Sequence, residues 1–143
     1  MKNITTGLIT LFNAAPGGIH NDFWVDVNGR LFDTLAPDGT PMPFATYLIV
    51  SDVDHDTFKD YIRELYIQFS LFSDSGSSGQ VKDMDTHLTA LFRDNLFTVT
   101  GYGTVMMRRV MGNGPILNPA DIEAGTGKYW QYDIDFEGTF QKS

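Results

Sequence analysis

The stretch from Asp60 to Asn95 constrains the fold most, because it combines an alternating strand, a Ser/Gly corner and an amphipathic helix. Apolar and polar side chains alternate along the strand with a period of two, which places one set on a core face. That apolar set is Leu65, Ile67, Phe69 and Leu71. The apolar stripe of the following helix is Val81, Met84, Leu88, Leu91 and Phe92. The two patterns together predict that this helix packs on the apolar face of the sheet that contains the strand.

The ends of this helix also carry signals. Ser77 and Gln80 have the spacing of a capping box, in which a hydroxyl and an amide satisfy free N–H groups at a helix start. Asn95 is predicted to end the helix in a left-handed turn. The polar side chains predicted to face outward are Lys82, Asp83, Asp85, Thr86, His87 and Arg93.

Two elements are predicted before this unit. The first is a short N-terminal helix with one apolar side, formed by Ile4, Leu8, Leu11 and Phe12. The second is a β-hairpin at Asn28-Gly29, because both residues tolerate a positive φ between strand-like arms. A strand is then predicted over Phe44–Ser51, followed by a polar turn over Asp52–Asp56.

The remaining chain is predicted to add strands to the same sheet. Phe97–Met111 is predicted as a strand interrupted or bulged at its glycines, and residues 112–128 as a long loop with one helical turn at Asn118-Pro119. The apolar side of the last strand is Trp130, Tyr132, Ile134, Phe136 and Phe140. The whole pattern predicts an α+β fold: an antiparallel β-sheet with one long amphipathic helix packed on one face, plus a short N-terminal helix and a β-hairpin.

Length and composition set limits on function. The chain has 143 residues, a net charge of −8 and no Cys, so one domain is expected and thiol catalysis or Cys-ligated zinc is excluded. The spread of acidic residues argues against broad binding to a phosphate backbone. No apolar run approaches the roughly 20 residues of a membrane-spanning helix, so no membrane partner is predicted.

The residues that could carry chemistry do not form a recognisable catalytic or metal-binding pattern. Asp52, Asp54 and Asp56 match the first ligand positions of a calcium loop, but Thr57 and Arg63 stand where Gly and Glu are required. No Gly-x-Ser-x-Gly elbow is present. We therefore predict no enzyme activity, no catalytic residues, no metal and no cofactor.

Arg108 and Arg109 form the one local pair of basic residues. On a strand they point to opposite faces. One of them is therefore available for a partner or an internal ion pair, and a solvated sheet edge is an equally weighted alternative.

Four segments resemble the tail-terminator proteins of tailed phages, also described as tail-completion or tail-to-head joining proteins. They are LFDTLAP at 31–37, PFATY at 43–47, IQFSLFSDS at 67–75 with the helix after it, and WQYDIDF at 130–136. The resemblance extends in order over roughly residues 4–141. It implies that residues 1–143 form one tail-terminator-like domain. The sequence departs from it in a longer segment between Ala14 and Arg30 and in the loop over 112–128.

The resemblance implies a structural protein of a virion, prophage particle or related tail-like particle, assembled in the cytoplasm of the bacterial host. Members of the family form a hexameric ring that ends the tail tube and meets the neck. The implied partners are further copies of the chain, the tail tube protein and a head-completion or neck protein, and DNA passes through the ring without specific binding.

Two sets of residues are predicted to serve such a ring. The subunit or tube interface is predicted at Arg108, Arg109, Asn113 and Ile116. Carboxylates that repel DNA are predicted to line the lumen, with Asp52, Asp54 and Asp56, or Asp121 and Glu123, as the candidates.

Two other classes of protein compete with this hypothesis. A monomeric small-ligand or carbohydrate-binding module would use exposed Trp24, Trp130 and Tyr129. A hydrolase would use scattered acids with His55, and would lose its activity in a His55→Ala variant. Formation of a ring would distinguish the structural-protein hypothesis from both of these alternatives.

Overall fold

Six strands form one sheet in the order β1-β2-β3-β6-β5-β4 in this computed structural model, which describes residues 2–56, 61–95, 97–99, 103–120 and 127–141. The elements in chain order are α1 (Lys2–Asn13), a 3-10 turn (Pro16–Gly18), α2 (Asp22–Val27), β1 (Leu31–Asp33), β2 (Phe44–Asp56), β3 (Tyr61–Ser73), α3 (Gly79–Asp94), β4 (Phe97–Val99), β5 (Gly103–Asn118) and β6 (Tyr129–Gln141). The predicted α+β class, the long helix and the short N-terminal helix are confirmed.

The predicted unit of strand and helix forms the core. All apolar residues assigned to the inner faces of β3 and α3 are buried, and Leu88 and Phe92 are 0 % exposed. The Phe69 ring stacks on Phe92 at 5.1 Å and meets Phe136 edge-on at 5.5 Å between ring centroids. These contacts join the helix to two neighbouring strands, as the alternation along β3 and β6 requires.

The N-terminal helix closes one end of the same core. Ile4, Leu8 and Phe12 recur every four residues on α1 and are buried, whereas Leu11 is half-buried at the edge. The apolar side predicted for this helix is therefore confirmed.

The β-hairpin predicted at Asn28-Gly29 is wrong. Both residues do adopt a positive φ, of 51° and 72°, but they end helix α2 instead of joining two strands. The Asn21 side chain begins that helix by accepting a hydrogen bond from the Trp24 amide at 2.8 Å. Strand β1 then pairs in parallel with β2, so the sheet is mixed and not wholly antiparallel.

Several predicted boundaries are also wrong. Residues 52–56 continue β2 instead of forming a turn, and β5 extends to Asn118, into the first part of the predicted loop. The interruption predicted at the glycines of Phe97–Met111 is confirmed, because this segment is divided into β4 and β5. The two strands pair antiparallel, so the chain reverses direction between them. Residues 119–120 are not helical, and the rest of the predicted helical turn lies outside the described residues.

The two predicted caps of α3 differ in detail. Gln80 accepts a hydrogen bond from the Ser73 hydroxyl at the end of β3, and the Ser78 side chain at the N-cap position makes no capping bond. Asn95 is extended, with φ −123°, and its side-chain amide donates to the Leu91 carbonyl at 2.9 Å. The carbonyl is thus satisfied without a left-handed residue.

Candidate interaction surfaces

The edge of strand β5 is the most prominent candidate for an interaction surface. β4 pairs with β5 only over Gly103–Val105, and among the described strands none lies along the outer side of β5 from Met106 to Asn118. Its exposed apolar residues are Met106, Val110, Met111, Ile116 and Leu117. An open edge offers unpaired N–H and C=O groups, and here apolar side chains accompany them.

The opposite side of the sheet has a second open edge. β1 pairs with β2 only over residues 45–47, so from Leu48 to Asp56 no described strand borders β2 on that side. Leu48 is 44 % and Val50 is 61 % exposed. Val50 sits at a β-bulge on β2, and Val110 sits at a similar bulge on β5.

The face of the sheet away from α3 carries a row of carboxylates. Asp133, Asp135 and Glu137 alternate along β6 and are half-buried. The Ser70 hydroxyl donates to Asp133 at 2.8 Å, and the Gln68 amide donates to Asp135 at 3.2 Å. These acids follow from the predicted alternation of β6, although the sequence analysis did not select them as lumen candidates.

The two neighbouring arginines point to opposite faces, as predicted. The Arg108 side chain is 73 % exposed and pairs with Glu137 on the carboxylate face. Its Nε donates to Oε1 of Glu137 at 2.8 Å. Arg109 turns toward α3, where its Nε and Nη2 donate to the two oxygens of Asp85 at 3.2 and 3.1 Å. Asp85 is therefore an internal partner and not the solvent-facing residue that the helix pattern predicted.

Gly112 provides the space in which Arg109 is held. A Cβ atom at this position would collide with the Arg109 guanidinium and would lie 2.8 Å from the Tyr132 ring. The Tyr132 hydroxyl is also within 3.4 Å of Arg109. The glycine is thus required for close approach of side chains, whereas the sequence placed it only at the start of a predicted loop.

A His–Asp pair joins α2 to α3. The Nδ1 atom of His87 lies 2.5 Å from a carboxylate oxygen of Asp26, and both side chains are partly buried. The hydrogen bond to Asp26 raises the pKa of His87 above its ordinary value of 6.5. Burial raises the pKa of Asp26, although His87 acts in the opposite direction.

We expect the contribution of His87 to stability to depend on pH. Since its folded pKa is raised, that contribution is complete below about pH 6.5 and is lost as the pH rises through the folded value. Urea titrations should show that His87→Ala lowers the free energy of unfolding more at about pH 5.5 than at about pH 8.5. In an Asp26→Asn background, His87→Ala should lower the free energy of unfolding equally at the two pH values. An equal loss at both pH values in the wild-type background would contradict the His87–Asp26 pairing.

The aromatic residues proposed for a ligand-binding module are not freely exposed. The Trp24 ring stacks on His20 with 3.8 Å between centroids, and its Nε1 donates to Asn13 at 3.3 Å. Trp130 packs against the core and Tyr129 is half-buried.

A hollow of about 580 Å³ lies beside the β1–β2 connection, bordered by Phe44, Phe72 and loop residues.

The other predicted site residues are placed unevenly. Asn113 and Ile116 are exposed on β5, on the same open stretch as Arg108, whereas Arg109 is turned inward. The lumen candidates Asp52, Asp54 and Asp56 lie on β2, but their side chains are outside the described part of the structure. Asp121 and Glu123 lie outside it altogether.

The described residues contain neither a metal-binding cluster nor a membrane-spanning helix. Within the described residues, no three His, Asp or Glu side chains are grouped in a way that could hold a metal ion. No helix in the same part of the chain is long and apolar enough to span a membrane.

Comparison with known proteins shows the fold and not the family. No protein-family model matches the sequence, and no curated protein matches it. Among solved structures, the fold is similar to a chain described as the virion of a native gene transfer agent (GTA) particle. The two chains share 10% sequence identity and a TM-score of 0.59, and the match covers 84% of each.

Proposed function

We propose that this chain is a structural virion protein of a phage or phage-like particle, without catalytic activity. Its proposed role is to form a hexameric ring that ends the tail tube and joins it to the neck. The observation that supports the proposal most is the shared fold with a chain of a gene transfer agent virion, which extends over 84% of both chains. The resemblance of four sequence segments to tail terminators supports the finer assignment.

The geometry of the sheet suits a ring subunit. A ring requires two different contact surfaces on each subunit, because every copy meets its two neighbours head to tail. The open stretches of β2 and β5 lie toward opposite sides of one sheet and carry different residues. Further copies of the chain, the tail tube protein and a head-completion protein are the proposed partners.

The carboxylate face suits a channel for DNA. Asp133, Asp135 and Glu137 form a row on a sheet face that the described helices leave uncovered, in a chain of net charge −8. Carboxylates repel phosphates, so DNA would pass without specific binding. This row is a third candidate lining of the lumen, beside the two sets predicted from the sequence, which are Asp52, Asp54 and Asp56, or Asp121 and Glu123.

Chemical cross-linking on tail-like particles tests the ring. We expect the purified chain to be monomeric in dilute solution, because many matching sites on a tube end make weak subunit contacts effectively intramolecular. Cross-linked particles should yield a hexamer in denaturing gels, and light scattering should give a monomer for the free chain. Particles that yield only monomer or dimer would contradict the ring and favour a monomeric binding module.

A further inference from the structure

We propose that neighbouring copies join by antiparallel pairing of the open edge of β5 (residues 106–118) with the open edge of β2 (residues 48–56) of the next copy. The sheet would then continue from subunit to subunit around the particle. The inference rests on the proposed ring, and it names the surfaces and the backbone contacts by which that ring closes.

The strand directions within one copy make this pairing geometrically consistent. β2 is antiparallel to β3, β3 to β6, and β6 to β5, so β2 and β5 run in opposite directions. Copies related by rotation about a ring axis all have the same orientation relative to that axis. The β5 edge of one copy therefore meets the β2 edge of the next as an antiparallel pair, which a sheet accepts without changing direction.

The composition of the two strands is complementary. β5, Gly103–Asn118, contains Arg108 and Arg109 and no acid, whereas β2, Phe44–Asp56, contains three Asp and neither Lys nor Arg. Exposed apolar side chains stand on both open stretches, with Val50 on one and Val110 on the other. Because Arg109 is already held by Asp85, the positive charge that β5 offers to a neighbouring copy is that of Arg108, which is 73 % exposed and pairs with Glu137. This difference in charge between the two strands favours pairing of unlike edges over pairing of like edges.

The bulges explain why such edges need not join in dilute solution. The strand at each open edge has register shifts against its inner neighbour: between Ile49 and Ser51 on β2, and between Arg109 and Met111 and again between Asn113 and Ile116 on β5. Bulges weaken edge-to-edge association because they disturb the regular ladder of hydrogen bonds. Pairing would become stable when a tube end holds several copies side by side.

Three exposed valines provide a matched test by substitution. Val50→Lys and Val110→Lys place a charge on each edge, and Val25→Lys makes the same change on α2, where Val25 is 61 % exposed. On tail-like particles lacking the native subunit, we expect the first two variants to lose the cross-linked hexamer and the third to retain it. Equal urea midpoints would verify folding. Hexamer formation by both edge variants, or its loss in all three, would overturn the pairing.

Disulfide trapping tests the pairing directly, since the natural chain has no Cys. A Val50→Cys protein is mixed on the particles with Met106→Cys, Val110→Cys or Ile116→Cys in turn, because a disulfide requires Cα atoms within about 7 Å and so reports the register. We expect a mixed disulfide with at least one β5 variant and none with Lys82→Cys on α3. A wild-type hexamer without a mixed disulfide would overturn the strand pairing alone. Absence of any wild-type hexamer would overturn the ring as well.

Discussion

Replacing Leu88 by alanine is expected to lower the free energy of unfolding by about 2–5 kcal/mol. Leu88 is 0 % exposed and lies on the apolar stripe of α3, which packs on β3, β5 and β6. The truncation removes buried methyl groups and leaves a cavity that the surrounding rings of the core fill only in part. A urea titration monitored by circular dichroism measures the loss.

A matched substitution on the surface controls for the change of residue type. Leu35 is 80 % exposed, so Leu35→Ala is expected to change the free energy of unfolding by less than about 0.5 kcal/mol. A loss below about 0.5 kcal/mol for Leu88→Ala as well would contradict the packing of helix α3 on the sheet.

The second large effect is expected at Arg109. Arg109→Ala should lower the free energy of unfolding by about 1–3 kcal/mol, because it removes two hydrogen bonds from the partly buried carboxylate of Asp85 and leaves it only the one from the Thr89 hydroxyl. The Asp85 side chain is only 16% exposed, and both of its oxygens accept from Arg109. Thermal or urea unfolding of the isolated chain measures this loss without any need for assembly.

The neighbouring arginine is the natural control. Arg108 differs from Arg109 in exposure, and its pair with Glu137 lies on the surface. Exposed ion pairs contribute little, so Arg108→Ala should change stability by less than about 1 kcal/mol. Equal losses for the two variants would show that Arg109 has no special structural role. Cross-linking of the Arg108→Ala variant on tail-like particles tests separately whether Arg108 contributes to subunit contacts.

The core was predictable because its signals are local and repeated. Period-two alternation in β3 and β6 and the apolar stripe of α3 each specify one buried face, and a helix and a sheet with single apolar faces have few ways to pack. Gly138 on β6 is buried although it has no side chain to mark it. Such a position becomes visible only once the strands on either side are known.

The errors arose where one conformational preference serves two structures. Asn28 and Gly29 adopt the positive φ that a hairpin requires, but Phe23 and Val27 are buried four residues apart, which is a helical spacing. The same φ values therefore end a helix. At Asn95, the side-chain amide supplies the hydrogen bond that a left-handed residue would otherwise provide through the backbone.

The candidate surfaces depend on strand order, which the sequence does not specify. Whether Val50 and Val110 lie on open edges follows from β1 and β4 being only three residues long and placed outermost. Likewise, Arg109 could be assigned to α3 only after β5 was placed beneath that helix. The interface and lumen residues named from the sequence, including Asn113 and Ile116, remain predictions.

The position of β6 has a consequence for biosynthesis. β6 follows the other five strands in the chain, yet it lies between β3 and β5, which share no hydrogen bonds with each other. A nascent chain that has emerged as far as β5 therefore carries two unsatisfied strand edges and an incomplete support for α3. Stable folding must await translation of Tyr129–Gln141, so the domain forms after synthesis of its last strand and not progressively from its N-terminus.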